Sequence, residues 1–310
     1  MSRIWESLYS KNGLAAKFIA KELFHVEVGE RIPRVSDFTE KLSLGRGTVQ
    51  GALKVLEDLR AISLEPRGHL GTFLLKRDMN LLHEIAGVGP LIGVMPLPYS
   101  RKYEGLATGI VEGLMEINKK SGLAYMRGAR RRLEALKSRR YDFAIMSMMA
   151  AKEALNEFEG LGICHAFGPE TYVTSHKVFF SKKHTGKIID GMKVGMDPSS
   201  ADQANITLAE CEGLNVTFVK VDYMQIFTML KNGSIDAAVW NADEDRAAQA
   251  FQSADFQSEK AQKLAMEATN AVMVAELERQ DILEQLHMLD IMKVKGTQSM
   301  VEKEEKYPHY

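Results

Sequence analysis

The first sixty residues contain three stretches in which apolar side chains recur at helical spacing. The stretches cover residues 13–25, residues 36–42 and residues 48–59. Apolar positions three and four residues apart lie on one face of a helix, so each stretch predicts an amphipathic helix. We place Ser36 at the N-cap of the second helix, because a serine hydroxyl suits that position.

Two short strand-like stretches follow the predicted helices, at residues 61–65 and 72–75. They flank the sequence PRGHLG, whose glycines suit a tight hairpin turn. Arg67 and His69 then lie at the tip of the hairpin. Three helices followed by a hairpin predict an α+β winged helix-turn-helix domain, which we assign to residues 1–78.

Strand-like and helix-like stretches alternate along the rest of the chain, and this alternation predicts a mostly parallel sheet. Two segments with the pattern of a helix, a turn and a strand resemble each other, at residues 133–145 and 227–239. We therefore predict two α/β lobes over residues 91–310, the second lobe at about residues 171–268. The segment 79–90 ends in Gly-Val-Gly-Pro and predicts a linker between the two domains.

The composition agrees with two globular domains in a chain of 310 residues. No apolar stretch approaches the ~20 residues of a membrane helix, and the first residues lack the apolar segment of an export signal. We therefore expect a cytoplasmic protein with no membrane partner. The first 78 residues hold 13 Lys and Arg against 10 Asp and Glu, a local excess of +3 in a chain of net charge −1. The polar tail, residues 293–310, is predicted to be mobile.

Three short motifs occur within the predicted first domain. They are Arg-Ile-Pro at residues 31–33, Leu-Ser-Leu-Gly-Arg-Gly-Thr-Val at residues 42–49, and Gly-Thr-Phe at residues 71–73. Together they resemble the winged helix-turn-helix of GntR-family transcriptional regulators, over roughly residues 13–75, and are most similar to the YhfZ subgroup. The resemblance implies a DNA-binding transcriptional regulator.

The same resemblance implies which residues meet a double-stranded DNA operator. Residues at the start of the third helix approach the major groove or its phosphates, and the hairpin tip lies over the neighbouring backbone. Three positions, Ser36, Gly47 and Gln50, depart from the usual family pattern, which alters the expected sequence preference. The candidate contacts are Ser36, Arg46, Gly47, Thr48, Gln50, Arg67 and His69. Because such proteins usually bind two half-sites, we predict a homodimer.

The pattern of residues 91 to about 290 resembles the two-lobed periplasmic-binding-type fold that also serves LysR-like regulators as an effector domain. This resemblance implies a small-molecule effector. Ligands of open α/β sheets bind outside the carboxyl ends of strands, where helix N-termini favour anions. We therefore predict a small anionic metabolite. The candidate contacts are Tyr99, Ser100, Arg127, Ser147, Asp197, Ser199, Ser200 and Asn241, although each serine is alternatively an ordinary helix cap.

No residue pattern predicts an enzyme, a metal site or a cofactor. Cys164 and His165 are adjacent, but neighbours on a strand point to opposite faces. The basic stretch at residues 127–140 is either a second nucleic-acid surface or a solvated helix face. The alternative function is an α/β solute-binding or catalytic protein whose winged helix makes protein contacts only.

Overall fold

The computed structural model forms two compact units, Met1–Gly89 and Pro90–Tyr310. Each unit has its own buried apolar core. The structure describes residues 10–87, 89–117, 121–181, 186–243 and 251–310. Within this part of the chain, no helix is long and apolar enough to span a membrane.

The described residues of the N-terminal unit form four α-helices and a two-stranded antiparallel sheet. In chain order these are α1 Lys11–Glu22, α2 Val35–Leu42, α3 Arg46–Asp58, β1 Ile62–Pro66, β2 Thr72–Arg77 and α4 Met79–Ile85. Ile19, Phe38 and Leu56 are fully buried, so the apolar faces of the first three helices meet in one core. The predicted order of three helices followed by a hairpin is confirmed.

The start of α2 corrects one prediction. Arg34, and not Ser36, is the N-cap residue, and its backbone N–H donates to the Asp37 carboxylate at 2.8 Å. The carboxylate at the third helical position supplies the acceptor, so the helix begins before the serine. The Ser36 hydroxyl lies one position inside the helix and donates to Asp37 Oδ1 at 3.3 Å.

Most of the predicted linker, residues 79–90, is a packed helix. Asp78 caps α4 by accepting from the backbone N–H groups of Asn80 and Leu81 at 2.9 and 3.1 Å. Leu82 and Ala86 are fully buried in the core of the N-terminal unit. The helical stretch at residues 79–85 thus packs as part of the N-terminal unit, which extends to Gly89, and only the turn after it stays a predicted linker. Residue 88 lies outside the described residues.

The C-terminal unit has two lobes. The first contains β3 Leu91–Met95, α5 Arg101–Glu116, β4 Ser121–Tyr125, α6 Ala129–Lys137, β5 Phe143–Ser147, α7 Met148–Leu155 and β6 Leu161–Gly168. The second contains β7 His176–Phe180, β8 Lys193–Met196, α8 Ala201–Glu210, β9 Thr217–Lys220, α9 Ile226–Lys231, β10 Ala237–Asn241 and β11 Gln252–Ala254. The chain then continues through α10 Glu259–Ala268, β12 Ala271–Glu276, α11 Gln280–His287 and α12 Ile291–Glu302.

Each lobe is built on a five-stranded mixed sheet. The strand order is β4-β3-β5-β12-β6 in the first lobe and β11-β7-β10-β8-β9 in the second. The pairs β3 with β4 and β8 with β9 are parallel, whereas β12 runs antiparallel to both of its neighbours. Because β12 returns to the first sheet, the chain passes between the lobes twice. The predicted two-lobed α/β architecture is confirmed.

The C-terminal helix is firmly packed, so the prediction of a mobile tail is wrong. The buried Gln298 side chain of α12 donates to the backbone oxygens of Lys102 and Thr171 at 3.0 and 2.8 Å. Near the end of the chain, the His309 N–H donates to Thr108 Oγ1 at 3.1 Å. The sequence pattern suggests a solvated tail because it does not show that these polar residues hydrogen-bond to the rest of the unit.

Candidate functional site

A cavity lies between the two lobes of the C-terminal unit, where loops from both sheets converge. It leaves about 110 Å³ in which the centre of a water molecule can move. By the same measure one water needs roughly 10–15 Å³, so the cavity accommodates a small metabolite. Six of the predicted contact residues line it: Tyr99, Arg127, Asp197, Ser199, Ser200 and Asn241.

Ser100 and Ser147 do not line the cavity, and both are helix caps. The Ser100 hydroxyl accepts from the backbone N–H of the third residue of α5 at 3.4 Å. The Ser147 hydroxyl accepts from the Ala150 N–H at 3.0 Å. Ser147 also reaches across to the second lobe, where its hydroxyl donates to Asp202 Oδ1 at 2.6 Å. It therefore acts on the cavity through Asp202.

The loop after β8 is stabilised by hydrogen bonds to the carboxylate of Asp197, which lies in that loop. Buried Asp197 accepts from the Ser199 N–H at 2.8 Å, from the Ser199 hydroxyl at 2.6 Å and from the Tyr223 N–H at 2.9 Å. Ser200 then caps α8 by accepting from the Gln203 N–H at 3.4 Å. Both oxygens of Asp197 are thus occupied by their own lobe, and this residue shapes the cavity wall.

Arg127 lies at the mouth of the cavity and joins the lobes. Its Nε donates to the Tyr99 hydroxyl at 2.9 Å, and its Nη1 lies 3.3 Å from a carboxylate oxygen of Asp222. The guanidinium also lies 5.9 Å from the centre of the Tyr99 ring. Arg127 is half-exposed, so this ion pair is open to solvent.

Sequence reasoning missed seven polar residues of the cavity. They are Tyr103, Arg132, Tyr172, His176, Asp202, Gln203 and Tyr223. Arg132 belongs to the basic stretch considered for a solvated helix face, yet only 3% of its surface is exposed. The periodicity of α6 places this arginine on the same side as the apolar Ala129 and Leu133. This spacing is the feature of the sequence that indicates a buried arginine.

The buried guanidinium of Arg132 is only partly hydrogen-bonded. Nη1 donates to the Met126 oxygen at 2.7 Å, and Nη2 lies 3.5 Å from the Tyr172 hydroxyl. Nε has no hydrogen-bond partner among the described residues. Arginine keeps its charge in proteins, and a buried charge without full compensation is costly. The cavity therefore favours a ligand group that accepts a hydrogen bond from this nitrogen.

Asp202, at the start of α8, faces the cavity from the second lobe. Burial raises the pKa of its carboxyl to about 6, although the Ser147 hydroxyl and the nearby charge of Arg132 act in the opposite direction. The buried imidazole of His176 is shifted the other way, because burial lowers its pKa to about 4. At neutral pH the cavity therefore contains an ionised carboxylate and an uncharged histidine.

Two further side-chain atoms in the cavity lack partners within the described residues, namely His176 Nδ1 and Asn241 Oδ1. The Asn241 amide donates to the Tyr223 hydroxyl at 2.9 Å, and the Tyr223 ring stacks on Trp240 with centres 3.5 Å apart. Buried polar groups are normally paired, so these atoms could provide hydrogen bonds to the polar groups of a bound molecule.

A second candidate surface lies in the N-terminal unit, in a groove between the start of α2, the start of α3 and β2. Arg31, Arg34 and Arg46 line this groove. None of the three guanidinium groups has an ion-pair partner in the part of the chain that the structure describes. Arg31 and Arg34 were not predicted as contacts, although they flank the Ile-Pro pair of the first motif.

The predicted DNA contacts are mostly exposed. Ser36 also lines the groove, Arg46, Gly47 and Gln50 are exposed on the first turns of α3, and Thr48 is half-buried. These side chains offer hydroxyl, amide and guanidinium donors on one helix end, which is the chemistry that DNA phosphates and base edges accept.

The hairpin tip is more constrained than expected. Arg67 and His69 are exposed, but Arg67 Nε is 2.5 Å from the Glu65 carboxylate. The Arg67 guanidinium also lies 4.4 Å from the centre of the Phe73 ring. A phosphate at the tip therefore competes with Glu65 for this arginine.

Neither cysteine is placed for catalysis. The Cys164 thiol donates to the Met273 oxygen at 3.3 Å, and burial raises its pKa to about 12. Burial also raises the pKa of Cys211 to about 12. In the described segments, no three His, Cys, Asp or Glu side chains are grouped to hold a metal ion.

Comparison with known proteins identifies both units. A helix-turn-helix domain model matches residues 27–74, and the model of the YhfZ C-terminal domain matches residues 78–310. The chain is similar to the uncharacterized protein YhfZ of Escherichia coli K12, with 33% identity over 231 residues, 74% of this chain and 75% of the relative.

Solved structures agree with this assignment. The crystal structure of YhfZ from Shigella flexneri matches with a TM-score of 0.61 and 29% identity, covering 72% of this chain and 94% of that one. The periplasmic aliphatic sulphonate binding protein SsuA from Escherichia coli matches with a TM-score of 0.54 and 13% identity, covering 70% of this chain and 75% of that one. The latter likeness concerns the fold alone. The chain belongs to the YhfZ family, with a helix-turn-helix domain in front of a binding-protein-like domain.

Proposed function

We propose that this chain is a cytoplasmic transcriptional regulator that binds operator DNA through α3 and a small molecule through the cavity between its lobes. The observation that carries the proposal is the exposed start of α3, within a helix-turn-helix domain that matches residues 27–74. Such a helix places its first residues against base edges in the major groove. The cavity of the second unit supports the sensing role.

The charge of the groove supports DNA binding. Its three arginines have no ion-pair partner among the described residues, so a phosphate does not have to displace an internal carboxylate. Each phosphate contact releases counterions from DNA, which makes binding depend on salt concentration. A homodimer, with one unit on each half-site, is part of this proposal.

The proposed ligand has an anionic group. The buried charge of Arg132 and the N-terminus of α8 both favour an anion in the cavity. Ser199 and Ser200 precede this helix, and both residues line the cavity beside it. An anion that binds one arrangement of the two lobes more tightly than another shifts the population towards the first. Effector binding would alter DNA affinity through this shift.

A mobility-shift assay with the DNA upstream of the protein's own operon tests the proposal. Wild type is compared with Arg46→Glu, and with Arg140→Glu as a control for the charge change on an exposed arginine of the C-terminal unit. We expect wild type and Arg140→Glu to shift the DNA at low salt, and Arg46→Glu to lose the shift. Loss of the shift in Arg140→Glu alone would instead assign DNA binding to the basic stretch at residues 127–140.

The alternative function predicts a different outcome. If the helix-turn-helix contacts only proteins, wild type gives no shift at low salt with any fragment of the neighbouring DNA, and the regulator proposal is then wrong. Light scattering tests the dimer separately, because a mass equal to one chain at working concentration contradicts it.

A further inference from the structure

Four charged side chains line the cavity, and the hydrogen-bonding atoms of two of them are already engaged by neighbours. The carboxylate of Asp197 accepts from Ser199 and from Tyr223, so its oxygens are occupied. The guanidinium of Arg127 is held by Tyr99 and by Asp222 at the mouth. Arg132 and Asp202 are the two charged side chains that still have an unoccupied hydrogen-bonding atom to offer a ligand.

Arg132 and Asp202 lie on opposite lobes, and one is a hydrogen-bond donor whereas the other is an acceptor. Arg132 Nε is a buried donor with no partner among the described residues. Asp202 uses Oδ1 to accept from Ser147, and Oδ2 accepts no hydrogen bond from the described part of the chain. Asn241 Oδ1, also on the second lobe, is a second buried acceptor without a partner. The first lobe therefore offers a donor, and the second lobe offers acceptors.

We propose that the cavity binds a small zwitterion of the α-amino-acid class, whose carboxylate meets Arg132 and whose ammonium meets Asp202 and Asn241. This inference deepens the proposed function and depends on its sensing half. One molecule would then provide partners for Arg132 Nε, Asp202 Oδ2 and Asn241 Oδ1 at once. The volume of about 110 Å³ suits a compound of this size.

A ligand with a single charge fits less well. A plain anion at Arg132 is repelled by the ionised carboxylate of Asp202 and leaves the Asn241 acceptor unpaired, which is unfavourable for a buried group. A plain cation leaves the buried guanidinium of Arg132 uncompensated. The rings of Tyr103 and Tyr172 also line the cavity, with centres 5.1 Å apart, and they limit the size of the ligand side chain.

Calorimetry and thermal shift on the full chain at pH 7.5 test this class of ligand. The probes are the twenty protein L-α-amino acids and, for each, the carboxylic acid that lacks the amine and the amine that lacks the carboxylate. We expect at least one amino acid to raise Tm, since a ligand that binds only the folded state stabilises it. Its two single-charge analogues should bind at least tenfold more weakly.

Two variants separate recognition of the ammonium from general damage to the cavity. Asp202→Asn retains a side-chain oxygen for Ser147 but removes the charge, and Asp255→Asn makes the same change at an exposed position of the second lobe. We expect Asp202→Asn to weaken amino-acid binding at least tenfold without weakening the matched carboxylic acid. Asp255→Asn should change neither affinity. A structural defect would weaken both ligands together.

Two results would overturn the zwitterion proposal. One is that none of the twenty amino acids binds at millimolar concentration, and the other is that the matched carboxylic acid binds as tightly as the amino acid. Neither result affects the DNA mobility shift, which tests the regulator proposal independently. If the carboxylic acid alone binds tightly, the cavity recognises an anion without an ammonium group.

Discussion

The groove of the N-terminal unit and the cavity of the C-terminal unit both use arginine, but in opposite surroundings. The groove arginines lie close together in the sequence and are exposed to water, where an unpaired charge is inexpensive. Arg132 is buried in a cavity whose walls come from segments more than a hundred residues apart. The first site is thus accessible to a large polyanion, whereas the second is enclosed and has the volume of a small molecule.

The largest expected difference between the two regions concerns a single added methyl group. Gly93 lies in β3, where an added Cβ would be 2.2 Å from ring carbons of the fully buried Phe143. The ring has no room to move, so Gly93→Ala should lower the free energy of unfolding by about 3 kcal/mol or more. Thermal unfolding at equal protein concentration measures the effect.

Gly47→Ala is the matched substitution in the DNA-facing helix. Nothing lies within 4 Å of the Cβ position at Gly47, and alanine is the better helix former. We expect a gain of roughly 0.5–1 kcal/mol in the free energy of unfolding. A destabilising effect of Gly47→Ala, or a neutral effect of Gly93→Ala, would show that the packing described for these two regions is wrong.

The next largest expected effect concerns DNA affinity and leaves stability unchanged. Arg34→Ala and Arg46→Ala each remove one exposed guanidinium from the groove. Each should make operator binding weaker and lower the slope of log affinity against log salt by about 1, as expected for one lost phosphate contact. Titrations at several salt concentrations measure the slope.

Arg140→Ala is the control for these groove variants, since it removes an exposed arginine from the other unit. Its salt slope should equal that of wild type. An unchanged slope in Arg34→Ala would show that Arg34 does not contact a phosphate, and it would leave the assignment of Arg46 unchanged. A fall in Tm for either groove variant would point to a structural role in place of a phosphate contact.

A pH-dependent effect distinguishes the cavity from the groove. The folded-state pKa of Asp202 is about 6, above the usual value for an aspartate of about 4. Its ionisation therefore disfavours the folded state, beginning near pH 4 and completed above pH 6. Asparagine cannot ionise, so the Tm of Asp202→Asn should rise relative to wild type as the pH increases from 4 to 7.

The difference in Tm between wild type and Asp202→Asn is the quantity to follow, because His176 contributes to the pH dependence of both proteins. Its pKa of about 4 lies below the usual 6.5, so the stability that it confers is lost as the pH falls from 6.5 towards 4. This contribution has the opposite sign to that of Asp202 and largely cancels in the comparison. A Tm difference that does not change with pH would contradict the burial of the Asp202 carboxyl.

The helix-turn-helix that carries the groove could be predicted from the sequence because its parts are local. Helix periodicity, a turn and a hairpin fix the order of elements within residues 13–75, and Arg46 follows from its position at the start of α3. The error at Ser36 is also local, since both Ser36 and Asp37 are capping residue types and the carboxylate is the one that pairs with the N-cap backbone. Residue type alone does not decide between them.

The cavity could be predicted only in part, for a different reason. Strand ends and turn residues indicated Asp197, Ser199 and Asn241, because these positions follow from each lobe separately. Arg132 and Asp202 lie inside helices, and nothing in either helix indicates that the two residues face one cavity. Their proximity depends on how β12 joins the lobes, which is a property of topology rather than of any short segment.

The smallest expected effect concerns the ion pair between Arg127 and Asp222. Its side chains are 43% and 52% exposed, so water screens the attraction across their 3.3 Å separation. A double-mutant cycle of Arg127→Ala and Asp222→Asn, measured by urea unfolding, should give a coupling below about 1 kcal/mol. The coupling should also decrease in 1 M salt. A coupling of roughly 2 kcal/mol or more that persists in salt would mean that the mouth of the cavity excludes water, as surroundings like those of Arg132 do.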